Sequence, residues 1–221
     1  ATAIITIGGG SAQVAIGDGA GLQYAASLPL GGARLAQQFI RHDPPRPHEV
    51  EAVARAVRRA WGPVSRAMRR HRWHQVVGSS ATIQQVMLAA YVRTHRHPPA
   101  EKRRLAITQR ELRSLVDWLS RSTAAERIRL PGLDPRREDL ALTTGVALLA
   151  WMEACRVPAL RYAPGSIREG LVLAYLLRHR QRVRRLEGPL LERWGTNGMK
   201  GLPRHKLRQL PPVARQDSVI G

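Results

Sequence analysis

The chain reads as an α/β domain with a mixed sheet and a helical stretch set into it, on three observations. The first thirty residues alternate small or polar with apolar residues at period two around two glycine turns. A short apolar run at residues 74–77 passes through Gly78-Ser79-Ser80 into a helical pattern. From Thr108 onward the apolar spacing is three-to-four, interrupted by one brief extended run at residues 159–162.

The opening run Ile4-Ile5-Thr6-Ile7 enters Gly8-Gly9-Gly10-Ser11, and Val14 and Ile16 continue it as a second strand. Three glycines let the backbone turn tightly, so several N–H groups can point at one anion, and Ser11 adds a hydroxyl there. A phosphate-holding hairpin and an ordinary Gly-rich turn both fit this stretch. A dinucleotide fingerprint does not, because Gln13 stands where its third glycine belongs and a strand follows instead of a helix. A P-loop also fails, for no Gly-Lys-Ser/Thr follows. Gly17-Asp18-Gly19 then turns the chain into a third strand, in which Leu22, Tyr24, Ala26 and Leu28 alternate.

Gly31-Gly32 mark a strand-to-helix passage where backbone must come close to a neighbour, and Arg34 beyond them is a candidate anion contact. Residues 42–48, with three prolines, read as a loop. Residues 49–72 give the clearest helix: Val50, Val53, Val57, Trp61, Val64 and Met68 form one apolar stripe. Arg55, Arg58, Arg59, Arg66, Arg69 and Arg70 take its other faces, and Gly62-Pro63 is a point of kinking or splitting.

After the strand at 74–77, Ser79 or Ser80 caps a helix over 83–92. The free N–H groups and dipole of that first turn suit an anion, although capping alone explains the serines. Residues 94–104 form a basic, Pro-broken loop. Its His95 and His97, like His71 and His74, lack the third ligand that a metal site needs. Thr108 and Glu111 make a capping box for a helix through Leu119, and a turn occupies residues 130–137. A second long helix spans 138–154, with Gly145 allowing a close approach. Ser166 and Glu169 box the last helix, whose Leu171, Leu173, Ala174 and Leu177 are expected to bury one side. A basic run at 178–185 precedes an aperiodic tail, expected to be poorly ordered. The division is a sheet core at 1–104, a helical insertion at 105–158, the final strand and helix at 159–185, and the tail at 186–221.

The 221 residues are 43% hydrophobic and 24% charged, enough for a packed core. No apolar run approaches the ~20 residues that span a bilayer. The chain starts inside a strand without methionine, which suggests a piece of something longer. A lone Cys155 excludes an intrachain disulfide and points to a reducing cytoplasm. Lys+Arg total 36 against 16 Asp+Glu, a net +20 that favours a polyanionic partner such as polyphosphate, nucleic acid or an anionic membrane. Arginine-rich composition on solvated faces is the plainer explanation. No aromatics interleave with the basic runs as a single-strand binder requires.

Ile4-Ile5-Thr6-Ile7-Gly8-Gly9-Gly10-Ser11, Leu28-Pro29-Leu30-Gly31, Gly78-Ser79-Ser80-Ala81-Thr82, Leu130-Pro131-Gly132-Leu133 and Ile167-Arg168-Glu169-Gly170 come in the order and spacing of one family. Over residues 3 to 177 the chain resembles the Ppx/GppA phosphatases, the exopolyphosphatases and guanosine pentaphosphate phosphatases. The resemblance implies a ribonuclease H-like domain of the actin, sugar-kinase and heat-shock-chaperone superfamily. It matches the second of two such domains that face a phosphate cleft. The first domain, with its own phosphate loop and the glutamate taken as catalytic base, is expected upstream.

Carried over by resemblance, Gly8, Gly9, Gly10, Ser11, Gly78, Ser79, Ser80 and Thr82 bind phosphate, while Arg34 and Arg168 are candidate substrate contacts. The family implies Mg²⁺, but two of its carboxylate positions hold Thr6 and Gln13 here. A threonine hydroxyl cannot neutralise Mg²⁺ charge, and glutamine can orient a water but not take its proton. The expected function is an exopolyphosphatase-like phosphohydrolase, acting on polyphosphate in preference to guanosine pentaphosphate. The alternatives are a catalytically impaired polyanion-binding remnant and an RNA-binding basic module. Further expectations are a cytoplasmic protein, no membrane partner, a homodimer, and contact with the upstream domain.

Overall fold

In the computed structural model, which describes residues 1–101, 104–165 and 167–178, the period-two stretch becomes an antiparallel meander. It consists of β1 (Thr2–Ile7), β2 (Ala12–Asp18) and β3 (Gly21–Leu28). Alternation puts Ala3, Ile5, Ile7, Ala12, Val14 and Ile16 on one buried face. Thr6, Gln13 and Ser27 fall on the other, one beside the next in register.

β4 (Gln75–Ser79) runs parallel to β1, and β6 (Ala159–Tyr162) runs parallel to β4. β5 (Ala106–Thr108) closes the edge antiparallel to β6. The order is β3-β2-β1-β4-β6-β5, a mixed sheet of six strands among the described residues.

The helices are α1 (Gly32–Phe39), α2 (Pro47–Met68), α3 (Ala81–His95), α4 (Gln109–Leu119), α5 (Ala124–Arg127), α6 (Asp139–Ala154) and α7 (Ile167–Arg178). α6 is buried from Ala141 to Met152 on every side, the pattern of a helix wrapped by others. α1, α2, α3 and α4 all pack on it. The indole N–H of the buried Trp61 on α2 donates to the Ala147 carbonyl of α6 at 3.1 Å, which satisfies a polar atom in a dry interface. Residues 1–165 make one unit, and α7 belongs to a second, 166–221.

Several boundaries differ from expectation for local physical reasons. α2 begins at Pro47, inside the stretch read as a loop, because proline at the first helical position gives up an N–H that has no partner there anyway. The helix also passes Pro63 unbroken: Pro63 is exposed, and Trp61, Val64 and Met68 around it are buried, so packing holds both halves in line. α3 runs on through Thr94 and His95, and β4 extends through Gly78 and Ser79. The strand at 106–108 was not anticipated. Gly145 meets the Val116 side chain of α4, 3.0 Å from where a Cβ would sit.

In α7, Leu171 and Ala174 were expected to be buried and are exposed, as are Val172 and Tyr175. An apolar stripe is buried only where a facing surface covers it. The Ser166–Glu169 box, the side chains of Leu173 and Leu177, the rest of the basic run and the tail lie outside the described residues.

Candidate functional site

The glycine loop owes its orientation to α1. The first N–H groups of that helix have no partner within it, and two of them find the loop: Gly32 N–H donates to the Gly8 carbonyl at 2.9 Å and Arg34 N–H to the Gly9 carbonyl at 3.0 Å. The Arg34 side chain adds a third bond, from Nε to the Gly10 carbonyl at 3.0 Å. All three loop carbonyls therefore face α1. In a planar trans peptide the following N–H points the opposite way. The amides of Gly9, Gly10 and Ser11 consequently point away from α1, and among the described residues they find no acceptor.

α6 steadies this arrangement from behind, since the buried Thr143 hydroxyl donates to the Gly32 carbonyl at 2.9 Å. Gly31 makes it possible. A Cβ there would lie 2.3 Å from Gly9 O, Gly10 C and Ser11 N, so no side chain fits. The close approach expected of Gly31-Gly32 is thus to the glycine loop itself. The loop glycines differ, for none has a left-handed φ and a Cβ on Gly10 would touch nothing within 4 Å.

Next to the amides lies a directional chain of side-chain hydrogen bonds. The Thr6 hydroxyl donates to Gln13 Oε1 at 2.8 Å, and Gln13 Nε2 donates to Ser11 Oγ at 2.6 Å and to Ser27 Oγ at 3.4 Å. With its oxygen accepting from Gln13, Ser11 has its proton left to give outward. The surface so formed offers donors: three amides, the Ser11 hydroxyl, and the remaining N–H groups of Arg34, which is in no ion pair among the described residues. Such a surface complements an acceptor-only oxyanion.

It does not fit Mg²⁺. Mg²⁺ takes hard oxygens, normally including carboxylates, and here Thr6, Gln13, Ser11 and Ser27 are neutral and already bonded to one another. No cluster of metal-ligating His, Cys, Asp or Glu exists among the described residues.

The second loop joins the first directly. Ser80 caps α3, accepting from Ile83 N–H at 3.2 Å, and its hydroxyl donates to the Ile7 carbonyl at 2.9 Å, next to Gly8. Holding both bonds puts Ser80 at φ 103°, a strained value for a residue with a side chain. The neighbouring positions serve the fold. The Ser79 hydroxyl is buried and donates to the Gly165 carbonyl. Gly78 lies against Ile83 and Leu160, and Thr82 is buried in the first turn of α3. Arg168 is the second residue of α7, and its side chain is outside the described residues.

Sequence reasoning singled out the two loops and Arg34. It missed Ser27 and Thr143, and no pattern marks either. Ser27 enters through strand register, and Thr143 through the docking of a helix more than a hundred residues away. The histidines are engaged locally: His95 stacks on Tyr91 and hydrogen-bonds Glu111 at 2.9 Å, and His71 packs on Tyr24.

A model of the Ppx/GppA phosphatase family matches residues 2–179. An uncharacterized protein of Streptomyces coelicolor is 35% identical over 179 residues, covering 79% of this chain and 52% of that protein. Exopolyphosphatase 1 of Mycobacterium tuberculosis is 30% identical over 178 residues, covering 78% of this chain and 50% of that protein. The chain thus spans about half the length of the curated relatives it matches. Among solved structures, a Ppx/GppA family member from Aquifex aeolicus has a similar fold at TM-score 0.69 and 22% identity, covering 80% of this chain and 56% of that one. An exopolyphosphatase from Cytophaga hutchinsonii has a similar fold at TM-score 0.68 and 23% identity, covering 79% of this chain and 56% of that one. These likenesses assign the mixed sheet to the ribonuclease H-like, actin-like fold.

Proposed function

The chain belongs to the Ppx/GppA phosphatase family, and from that membership we propose that it is the phosphate-gripping half of an exopolyphosphatase-like phosphohydrolase. Its preferred substrate is polyphosphate, with guanosine pentaphosphate as the smaller alternative. The observation that carries this reading is the set of three outward amides at Gly9, Gly10 and Ser11 beside the Arg34 guanidinium. A terminal phosphoryl group presents only acceptor oxygens, and this surface presents only donors to it.

In hydrolysis, a water oxygen joins phosphorus while the bridging P–O bond breaks, and the freed chain end leaves with the electron pair. Negative charge on the phosphoryl oxygens is held by amides fixed before the reaction starts, so little reorganisation is needed. The proton of the attacking water goes elsewhere, because Gln13 orients but does not accept. By family resemblance its acceptor belongs to the half that this chain does not span. The net +20 charge supports a long polyanion over a small nucleotide, since each further phosphate can meet another arginine.

Thr6 and Gln13 favour a second reading, in which the site holds a phosphate chain without cleaving it. Phosphate release from polyphosphate by the unaltered protein and by a Thr6→Asp/Gln13→Glu variant separates the two. Release by the unaltered protein supports the hydrolase. Release only after the double substitution supports the binding reading. Neither release nor polyphosphate binding in either protein overturns both.

A further inference from the structure

The far end of α3 and the wet face of α4 hold a feature that the glycine loop does not use. Arg110, Arg113, Asp117 and Arg121 follow one another at three- and four-residue spacing, while Leu112, Leu115, Val116 and Leu119 bury the opposite face of α4. With Arg93 and Trp118 they line a groove of about 450 Å³.

Arg93 is the unusual member. Its guanidinium lies over the Trp118 ring, 4.9 Å from the centroid, and its Nε is buried with no hydrogen-bond partner. Burial and the nearby Arg96 charge both press its pKa below the ordinary arginine value. Arg93 is in no ion pair among the described residues, and its buried Nε is unbonded. An unpaired, partly desolvated donor of this kind gains whenever an anion arrives. Stacking on Trp118 fixes the plane of the guanidinium, so little entropy is lost in using its edge. Glu153 is taken up by Arg113 at 2.6 Å, which leaves Asp117 as the opposing charge in the groove.

We propose that this groove is a second anion site, which takes an inorganic phosphate chain at a distance from the glycine loop. The ligand class rests on the phosphate-chain reading above; the site itself does not depend on the loop. Bare phosphates need spaced positive charge and no stacking surface, and that is what the groove supplies. A single-stranded nucleic acid needs several free aromatic faces, whereas Trp118 is the one aromatic lining the groove and Arg93 covers one of its faces.

Arg93 stands twelve residues beyond Ala81, about 18 Å along α3 from the turn that meets the glycine loop. A long chain can therefore occupy both sites while a short one cannot, and the second contact of a long chain becomes intramolecular.

The test uses the full chain, its Arg110→Gln/Arg121→Gln variant and its Gly10→Val variant, each titrated with long-chain polyphosphate, tripolyphosphate and a single-stranded RNA at several salt concentrations. Both arginines are exposed, so the fold is not at stake. The double variant is expected to bind long-chain polyphosphate about tenfold more weakly, with a salt slope shallower by about one per arginine removed. Its tripolyphosphate affinity at the glycine loop stays the same. Unchanged long-chain affinity in the double variant overturns the groove while leaving the loop intact. Unchanged binding in Gly10→Val, with loss in the double variant, supports the groove and counts against the loop. RNA binding as tight as polyphosphate at matched charge, lost in the double variant, overturns the ligand class.

Discussion

Gly10 and Gly31 both belong to the glycine-loop region, yet they answer to different demands. At Gly31 a methyl group would enter the backbone of residues 9–11, so Gly31→Ala is expected to cost about 3 kcal/mol. At Gly10 the same methyl group meets open space and no left-handed φ, so Gly10→Ala is expected to leave stability unchanged or raise it by about 0.5 kcal/mol. Its cost falls on whatever approaches the amides, and phosphate-chain affinity is expected to drop. Urea unfolding and a binding titration of both variants check this pair; a Gly10→Ala protein that binds normally would mean the amides face nothing. The glycine cluster itself was legible in the sequence. Which of its polar groups point outward was not, because α1 sets that with bonds from Gly32 and Arg34, more than twenty residues later.

Among the connecting elements, the loop between α1 and α2 carries a pH signature. Glu49 in the first turn of α2 is buried, which by itself raises a carboxyl pKa. Hydrogen bonds from the N–H groups of Arg46 and Arg41, both at 2.8 Å, and from His42 Nδ1 at 2.9 Å outweigh burial and bring it to about 2. In the unfolded chain the same carboxyl titrates near 4.5. Between those values the unfolded chain holds more protons, so this contribution is complete above about 4.5 and disappears as pH falls through about 2. Urea midpoints measured across that window are expected to fall less steeply for Glu49→Gln than for the unaltered protein. Parallel acid limbs would show that the carboxylate contributes nothing. The helices of this region were readable from their apolar stripes, and β1 to β3 from alternation, since β1 and β2 bury one face and β3 half-buries one. β5 was not, because three residues at a sheet edge carry no period and exist through pairing with β6.

For the molecule as a whole, burial and charge do separate work. A mixed sheet with α6 at the centre of its helices fixes two loops side by side, with Ser80 bonded to the residue before Gly8. Most of the positive charge is arginine, and many of the described arginines are exposed. The sequence showed how much charge there is but not that Arg93 would stack on Trp118, since those residues meet only when α3 packs beside α4. No helix among the described residues is long and apolar enough to cross a membrane. The account depends most on the three loop amides. The direct measurement is a ¹⁵N–¹H correlation spectrum of the chain titrated with tripolyphosphate in the presence of EDTA. Saturable, concerted shifts of the Gly9, Gly10 and Ser11 amides, with the buried amide of Gly78 unmoved, are the expected result. Tripolyphosphate binding that leaves those three signals in place, or that requires added Mg²⁺, would contradict it.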